Sequence, residues 1–174
     1  MTKDEFIKEV TDGLNPPPNY FPLNVKMNKE GYDDIDKIIA CGTTPLDPDS
    51  FENIAKMKNV LILDVRHQEQ FAKEHIPNSI FIGIDGSFAP WFGTIIEDVT
   101  KTILLVTHED RVEETVTRLA RLGFDNCLGF LKGGIKTWMM QGKLTANVNV
   151  IDSAVFKKLT KNEKLKVCLL YTSP

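Results

Sequence analysis

Residues 59–66, Asn59-Val60-Leu61-Ile62-Leu63-Asp64-Val65-Arg66, decide the fold. The run is apolar at successive positions and ends in an acid. A strand with one wet face alternates apolar and polar side chains, whereas a strand apolar on both faces must be covered on both, as in a parallel sheet between helical layers. Three more runs of this kind follow, at 79–84 (Ser-Ile-Phe-Ile-Gly-Ile), 102–107 (Thr-Ile-Leu-Leu-Val-Thr) and 126–131 (Asn-Cys-Leu-Gly-Phe-Leu). Between the last two, Val112, Val116, Leu119 and Ala120 fall at i, i+4, i+7 and i+8. That spacing predicts a helix over about 110–122, and Gly123 stands where a glycine ends a helix. Upstream, Asp49 is the expected cap of a short helix carrying Phe51, Ile54 and Ala55. Strands buried on both faces, alternating with helices, predict an α/β fold of three layers, α/β/α, around a mostly parallel sheet.

The flanks read differently. Residues 1–45 form an arm expected to be irregular apart from one short helix over 3–10, with Phe6, Ile7 and Val10 on one side and Gly13 at its end. Asn15-Pro16-Pro17-Pro18-Asn19 excludes helix and central strand. Tyr20, Phe21, Leu23, Val25 and Met27 follow without a clear period, and an arm this apolar is expected to pack on its own or another domain. Residues 146–174 read as a linker, a helix start at 151–159 and a strand-like run at 165–171 with nothing after it. This end is read as a truncated second unit or as a partly non-native terminus. Lys157, Lys158, Lys161, Lys164 and Lys166 make a solvated basic run.

Composition excludes several classes. With 21 Lys+Arg against 24 Asp+Glu the net charge is −3, so no field for polyanions is implied and nucleic acid is not an expected partner. No apolar run approaches the roughly 18 residues of a membrane span. Met1-Thr2-Lys3-Asp4-Glu5-Phe6 lacks an apolar signal core, and the expected location is cytoplasmic. Cys41, Cys127 and Cys168 are far apart and form no CxxC, which argues against a disulfide framework or thiolate zinc site. His67, His75 and His108 show no metal-ligand spacing, so neither metal nor cofactor is expected.

Leu63-Asp64-Val65-Arg66, Glu69-Gln70-Phe71, His75-Ile76-Pro77-Asn78-Ser79 and, later, Leu131-Lys132-Gly133-Gly134-Ile135-Lys136-Thr137-Trp138 stand in the order and spacing of the rhodanese-like family, which the chain resembles over 46–145. The resemblance implies a parallel sheet of about five strands with helices on both faces. Asp64, Arg66, His75, Pro77, Gly133, Gly134 and Trp138 then serve as structural motif residues. Asn15-Pro16-Pro17-Pro18-Asn19-Tyr20-Phe21-Pro22, Met27-Asn28-Lys29-Glu30-Gly31-Tyr32 and Ile84-Asp85-Gly86-Ser87-Phe88-Ala89-Pro90-Trp91 resemble fusion proteins that join a metallo-β-lactamase-fold hydrolase or persulfide dioxygenase to rhodanese modules. Residues 1–45 would match the end of the hydrolase domain, and a second rhodanese module would begin near Ile151. The expected partners are therefore a metallo-β-lactamase-fold domain, in cis or in trans, and a second rhodanese module.

Sulfur transfer in this family uses a cysteine at the end of the fourth family strand, in a loop whose N–H groups surround a persulfide or oxyanion. The matching position here is Thr107, and the loop continues His108-Glu109-Asp110-Arg111-Val112. A threonine hydroxyl cannot form a persulfide and is a poor nucleophile without a base. Adjacent His108 is expected to face solvent rather than pair with it. Thr107-x-x-Asp110 has the spacing of a capping box, so the hydroxyl is expected to cap the following helix. Glu109, Asp110, Glu113 and Glu114 suit a helix dipole but oppose an anionic sulfur donor, and Arg111 offsets one of them at most. No residue is assigned as catalytic. Asp64 is expected to organise the turn after its strand, and His75 to be a turn residue with a hydrogen-bonded ring. Cys127 reads as a small buried hydrophobe and Cys41 as a loop residue. Trp91 and Phe92 are expected to pack in the core first, with an inter-domain contact as the alternative. The function expected is a non-catalytic structural or regulatory module beside a metallo-hydrolase in sulfur metabolism. The alternative is a sulfurtransferase using a displaced cysteine, Cys127 or Cys41; an anion-sensing or phosphatase-like module ranks last.

Overall fold

The computed structural model describes residues 1–14, 21–31, 34–161 and 165–168. Its helices and strands are α1 (Lys3–Thr11), α2 (Phe21–Glu30), α3 (Ile35–Gly42), β1 (Pro45–Leu46), α4 (Pro48–Ala55), β2 (Val60–Asp64), α5 (Gln68–Lys73), β3 (Ile80–Phe81), α6 (Phe88–Ile95), β4 (Thr102–Val106), a 3-10 turn (Glu109–Arg111), α7 (Val112–Ala120), β5 (Cys127–Leu131), α8 (Gly134–Met140) and α9 (Ser153–Leu159). The five strands form one sheet in the order β1-β5-β4-β2-β3, and every pairing is parallel.

The central strand shows why these runs are apolar throughout. In β4, Ile103 and Leu105 enter the core on one face of the sheet, with Val112, Val116 and Leu119 of α7 and Phe88 and Phe92 of α6. Leu104 and Val106 enter the core on the other face, with Phe51 of α4 and Ile135 and Trp138 of α8. Helices therefore cover both faces, and the fold is the three-layer α/β/α arrangement expected. Phe51 and Trp138 meet edge to face at 6.0 Å, and the indole N–H donates to the Leu144 carbonyl at 2.8 Å.

Several local features differ from the sequence-based expectation. The run at 79–84 is a strand only over Ile80–Phe81, although the Ile82 and Ile84 N–H groups still donate to the Asp64 and Val65 carbonyls. The cap of α4 is Asp47, whose carboxylate accepts from the N–H groups of Asp49 and Ser50, with Pro48 at the first helical position. Proline there needs no N–H partner and starts the helix two residues earlier than Asp49 would. The fifth strand, β1, has no apolar run of its own. It is held through Phe130 N–H to the Thr44 carbonyl and Lys132 N–H to the Leu46 carbonyl. Gly129 permits this approach: its φ is +142°, and a Cβ there would collide with the Thr44 carbonyl oxygen.

The arm is more regular than expected. Helix α1 is closed by a Thr2/Glu5 capping box, α2 follows, and Asp34 caps α3. Helix α3 packs on α7 and β5, with Ile38 buried in the core. Cys41 therefore lies in the last turn of a helix rather than in a loop, and it is exposed. At the far end α9 forms under the Asp152 cap, while Leu165–Cys168 take no strand conformation. Asn15 to Tyr20, Tyr32, Lys164 and Leu169 to Pro174 lie outside the described residues. Among the described residues no helix is long and apolar enough to cross a membrane.

Candidate functional site

β2 and β4 are paired from Val60↔Thr102 to Asp64↔Val106, so the turns that follow them lie side by side. A cleft of about 370 Å³ opens between these turns, lined by Val65, Arg66, His67, Glu69, Gln70, Ile84, Asp85, Thr107, His108 and Arg111.

On the β2 side, Asp64 is fully buried. Arg66 grips its carboxylate from Nε at 2.9 Å and from Nη2 at 2.7 Å, and donates again from Nη2 to the Glu74 carbonyl at 2.8 Å. The Arg66 N–H closes the turn onto Asp64 Oδ1 at 3.1 Å. Such a bidentate, charge-assisted pair fixes both side chains. His67 caps α5, accepting at Nδ1 from the Glu69 N–H, and Gln70 completes the box from its side-chain oxygen to the His67 N–H. His75 lies outside the cleft. Its Nδ1 donates to the Phe71 carbonyl at 2.8 Å, its ring stacks on Phe71, and its backbone bridges Ala146. Pro77 belongs to the turn that Ser79 closes through its N–H and hydroxyl onto the Ile76 carbonyl.

On the β4 side, Thr107 is 5% exposed and lines the cleft. The expected capping box is not formed. A 3-10 turn over Glu109–Arg111 intervenes, α7 begins at Val112, and no side chain caps either element. The tighter turn carries the chain past the position from which the Thr107 hydroxyl could reach an Asp110 N–H. His108 is exposed, and its Nε2 meets Gln70 Oε1 at 3.1 Å, across the cleft mouth and not toward Thr107. The Glu109 carboxylate accepts from the Gly133 N–H at 3.2 Å, tying the loop to the β5–α8 turn. Gly133 sits at φ +70°, and a Cβ there would meet the Thr137 side chain. Gly134 opens α8.

Arg111 is the one arginine of the loop, and two acids hold it. Its Nε donates to Glu114 at 2.6 Å and its Nη2 to Asp85 at 3.0 Å. The Glu114 and Asp85 carboxylates raise the Arg111 pKa above the ordinary arginine value, and Arg111 in turn holds the Glu114 carboxyl below its usual range. Glu114 also pairs with Arg118 at 2.6 Å, and Arg118 donates to the Ile84 carbonyl. The charge that would face an anion at this loop is thus already countered.

The cysteines lie elsewhere. Cys127 pairs with Ile103 at the opposite end of the sheet, four residues or about 13 Å along the strand from Thr107. It is fully buried, and desolvation pushes its thiol up to about 12. Cys41 stands beside Gly42, whose Cα faces Val116 of α7 and Cys127. The displaced-cysteine alternative has no thiol at the cleft among the described residues. These residues also contain no group of three or more His, Cys, Asp or Glu able to hold a metal. Gln70 and Asp85 also line the cleft, where no role was expected of them from the sequence. The His67-x-x-Gln70 spacing after a strand was a usable signal, whereas Asp85 meets Arg111 only through the fold.

Comparison with known proteins bears on the fold and the family. The model of the rhodanese-like domain matches residues 47–141. The chain belongs to that family. No curated protein matches the chain. Among solved structures, a metallo-beta-lactamase from Staphylococcus aureus subsp. aureus COL superposes with a TM-score of 0.55 at 20% identity, covering 75% of this chain and 35% of that one. The BH2092 protein of Bacillus halodurans gives 0.50 at 17% identity, covering 79% and 98%. A thiosulfate sulfurtransferase from Pseudomonas aeruginosa gives 0.50 at 14% identity, covering 83% and 26%. At these identities the likeness is one of fold. The rhodanese-like chain spans about a third of the length of the Staphylococcus aureus protein. Phe92 and Trp91 part company in this fold: Phe92 is in the core, and Trp91 is 61% exposed on α6.

Proposed function

We propose that the chain is a non-catalytic rhodanese-like module, a structural or regulatory partner of a metallo-β-lactamase-fold hydrolase in sulfur metabolism. The observation that carries this reading is Thr107 at the end of β4, where the family resemblance implies a nucleophilic cysteine. Persulfide chemistry needs a thiolate, and a hydroxyl with no base beside it supplies none. The surrounding charge supports the same reading, because Glu109 and Asp110 stand in the loop and Arg111 is held by Glu114 and Asp85. In this account Thr107 to Val112 are a degenerate active-site loop. Asp64, Arg66, His75, Pro77, Gly133, Gly134 and Trp138 maintain the scaffold.

The proposed organisation is an arm at 1–45 continuing from a metallo-β-lactamase-fold domain, a rhodanese-like domain at 46–145, and a linker with the start of a second module at 146–174. The hydrolase domain would act in cis or in trans. The superposition on the metallo-beta-lactamase, of which this chain spans 35%, supports a larger neighbour. The exposed Trp91 on α6 supports a contact with it. The protein would work in the cytoplasm. Incubation of the purified chain with thiosulfate and cyanide tests the reading: no thiocyanate above the uncatalysed rate is expected, and catalytic thiocyanate formation would refute it.

A further inference from the structure

The family model ends at residue 141, yet the chain does not leave the body there. Gly142 turns at φ +70°, and residues 143–148 cross from α8 past α4 to α5. The Lys143 N–H donates to the Trp138 carbonyl, and the Trp138 indole N–H donates to the Leu144 carbonyl. His75 and Ala146 exchange antiparallel backbone bonds at 2.9 and 2.8 Å, and the Val148 N–H donates to the Ala72 carbonyl at 2.7 Å. One strap thus engages both His75 and Trp138.

Apolar burial is not what holds it. No residue of 142–150 is buried, and Leu144, Val148 and Val150 are exposed. The charged anchor is Lys143, whose side chain is 11% exposed. Its Nζ meets Asp49 at 2.7 Å and Glu52 at 3.0 Å and lies 5.3 Å from the centre of the Trp138 ring. Asp49 and Glu52 raise the Lys143 pKa above its ordinary value, so the anchor keeps its charge across the neutral range. A segment held by backbone bonds and one ion-pair cluster opens at lower cost than a packed core.

The element it grips is of the same kind. Helix α5 contains no buried residue. Its N-terminal end carries His67 and Gln70 of the cleft, and Glu69 lines both the cleft and the groove that residues 147–150 form against α5.

We propose that residues 143–148 are a latch anchored by Lys143, which when closed pins α5 and the cleft wall that α5 carries. When open, it loosens that wall and frees roughly 20 Å of extended chain ahead of α9. A partner that engages the strap therefore alters the cleft wall, and a ligand that engages the cleft wall alters the strap. The latch does not depend on whether the cleft is catalytic.

Amide hydrogen exchange of the full chain tests this. The Ala146 and Val148 amides should exchange more slowly than those of Asn147 and Asn149, which make no backbone bond, and well ahead of those of Ile103 to Leu105 in β4. The Phe71 and Glu74 amides, bonded within the α5 turns, should also exchange ahead of β4. Lys143→Met keeps an unbranched stem over Trp138 and removes the charge. It should speed exchange at His75, Ala146 and Val148 roughly tenfold or more, with Phe71 and Glu74 speeding alongside. Glu52→Gln removes one partner from the other side and should act in the same direction more weakly. A single cooperative melting transition in each variant is the control for folding. Strap amides no faster than β4, or indifferent to Lys143→Met, would overturn the proposal. So would α5 amides that do not respond when the strap amides do.

Discussion

β2 and β4 run side by side, and each hands over to a turn and then a helix, yet the two turns spend their polar groups differently. After β2, Asp64, Arg66, His67 and Gln70 bond to one another and to the backbone, and Arg66 is 10% exposed in its side chain. After β4, no side chain caps the 3-10 turn or α7. The loop's arginine is 31% exposed, and its partner Asp85 is exposed. The first turn holds the scaffold. The second is held by the exposed Arg111 ion pairs, which stabilise little in solvent, and by single hydrogen bonds between His108 and Gln70 and from the Gly133 N–H to Glu109.

The contrast can be broken most forcefully at Asp64. Asp64→Asn leaves the Arg66 guanidinium without its counter-charge in a buried site, a change expected to cost about 3–5 kcal/mol. The urea midpoint should drop steeply, and a near-normal midpoint would place the β2 turn on the same footing as the β4 turn. Glu109→Ala removes only the acceptor for the Gly133 N–H. A loss of about 1 kcal/mol is expected, with faster amide exchange at Gly133 as the specific readout.

The smallest effect concerns pH. The Glu114 carboxyl is held below its ordinary value of 4.5, chiefly by Arg111. A carboxyl whose folded pKa is lowered contributes stability that is fully present above the ordinary value and lost as pH falls through the lowered one. The urea midpoints of the parent chain and Glu114→Gln should therefore differ slightly at neutral pH and converge in acid. A gap that widens in acid would mean that Arg111 does not hold Glu114.

The sheet was legible because the physics of double-sided burial writes itself as uninterrupted apolar runs. The 60–64 and 102–106 stretches show this, as β4 sends alternate residues into both cores. Two strands were harder to read. β1 is only Pro45–Leu46, defined by its partner β5 and by Gly129, and β3 pairs at two positions of a longer run. Helix α3 was hidden in the arm because its buried face is largely Ile38 and Gly42. At the site, the identity of residue 107 was open to inspection in the sequence. The failed capping box was not, since a 3-10 turn and an α-helical start place the same residues one step apart. The Arg111–Asp85 pair was also illegible, because 26 residues separate its members and Asp85 follows β3, which stands near the β4 loop only because β3 pairs with β2 and β2 with β4.

The central claim is that this chain, with Thr107 in place of a thiol at the loop after β4, accepts no sulfur. Intact-mass measurement of the chain after incubation with thiosulfate tests it most directly, with Thr107→Cys as the comparison chain. The account predicts an unchanged mass for the parent chain. Addition of one sulfur atom to the parent chain, mapped to Cys41, Cys127 or Cys168, would contradict it.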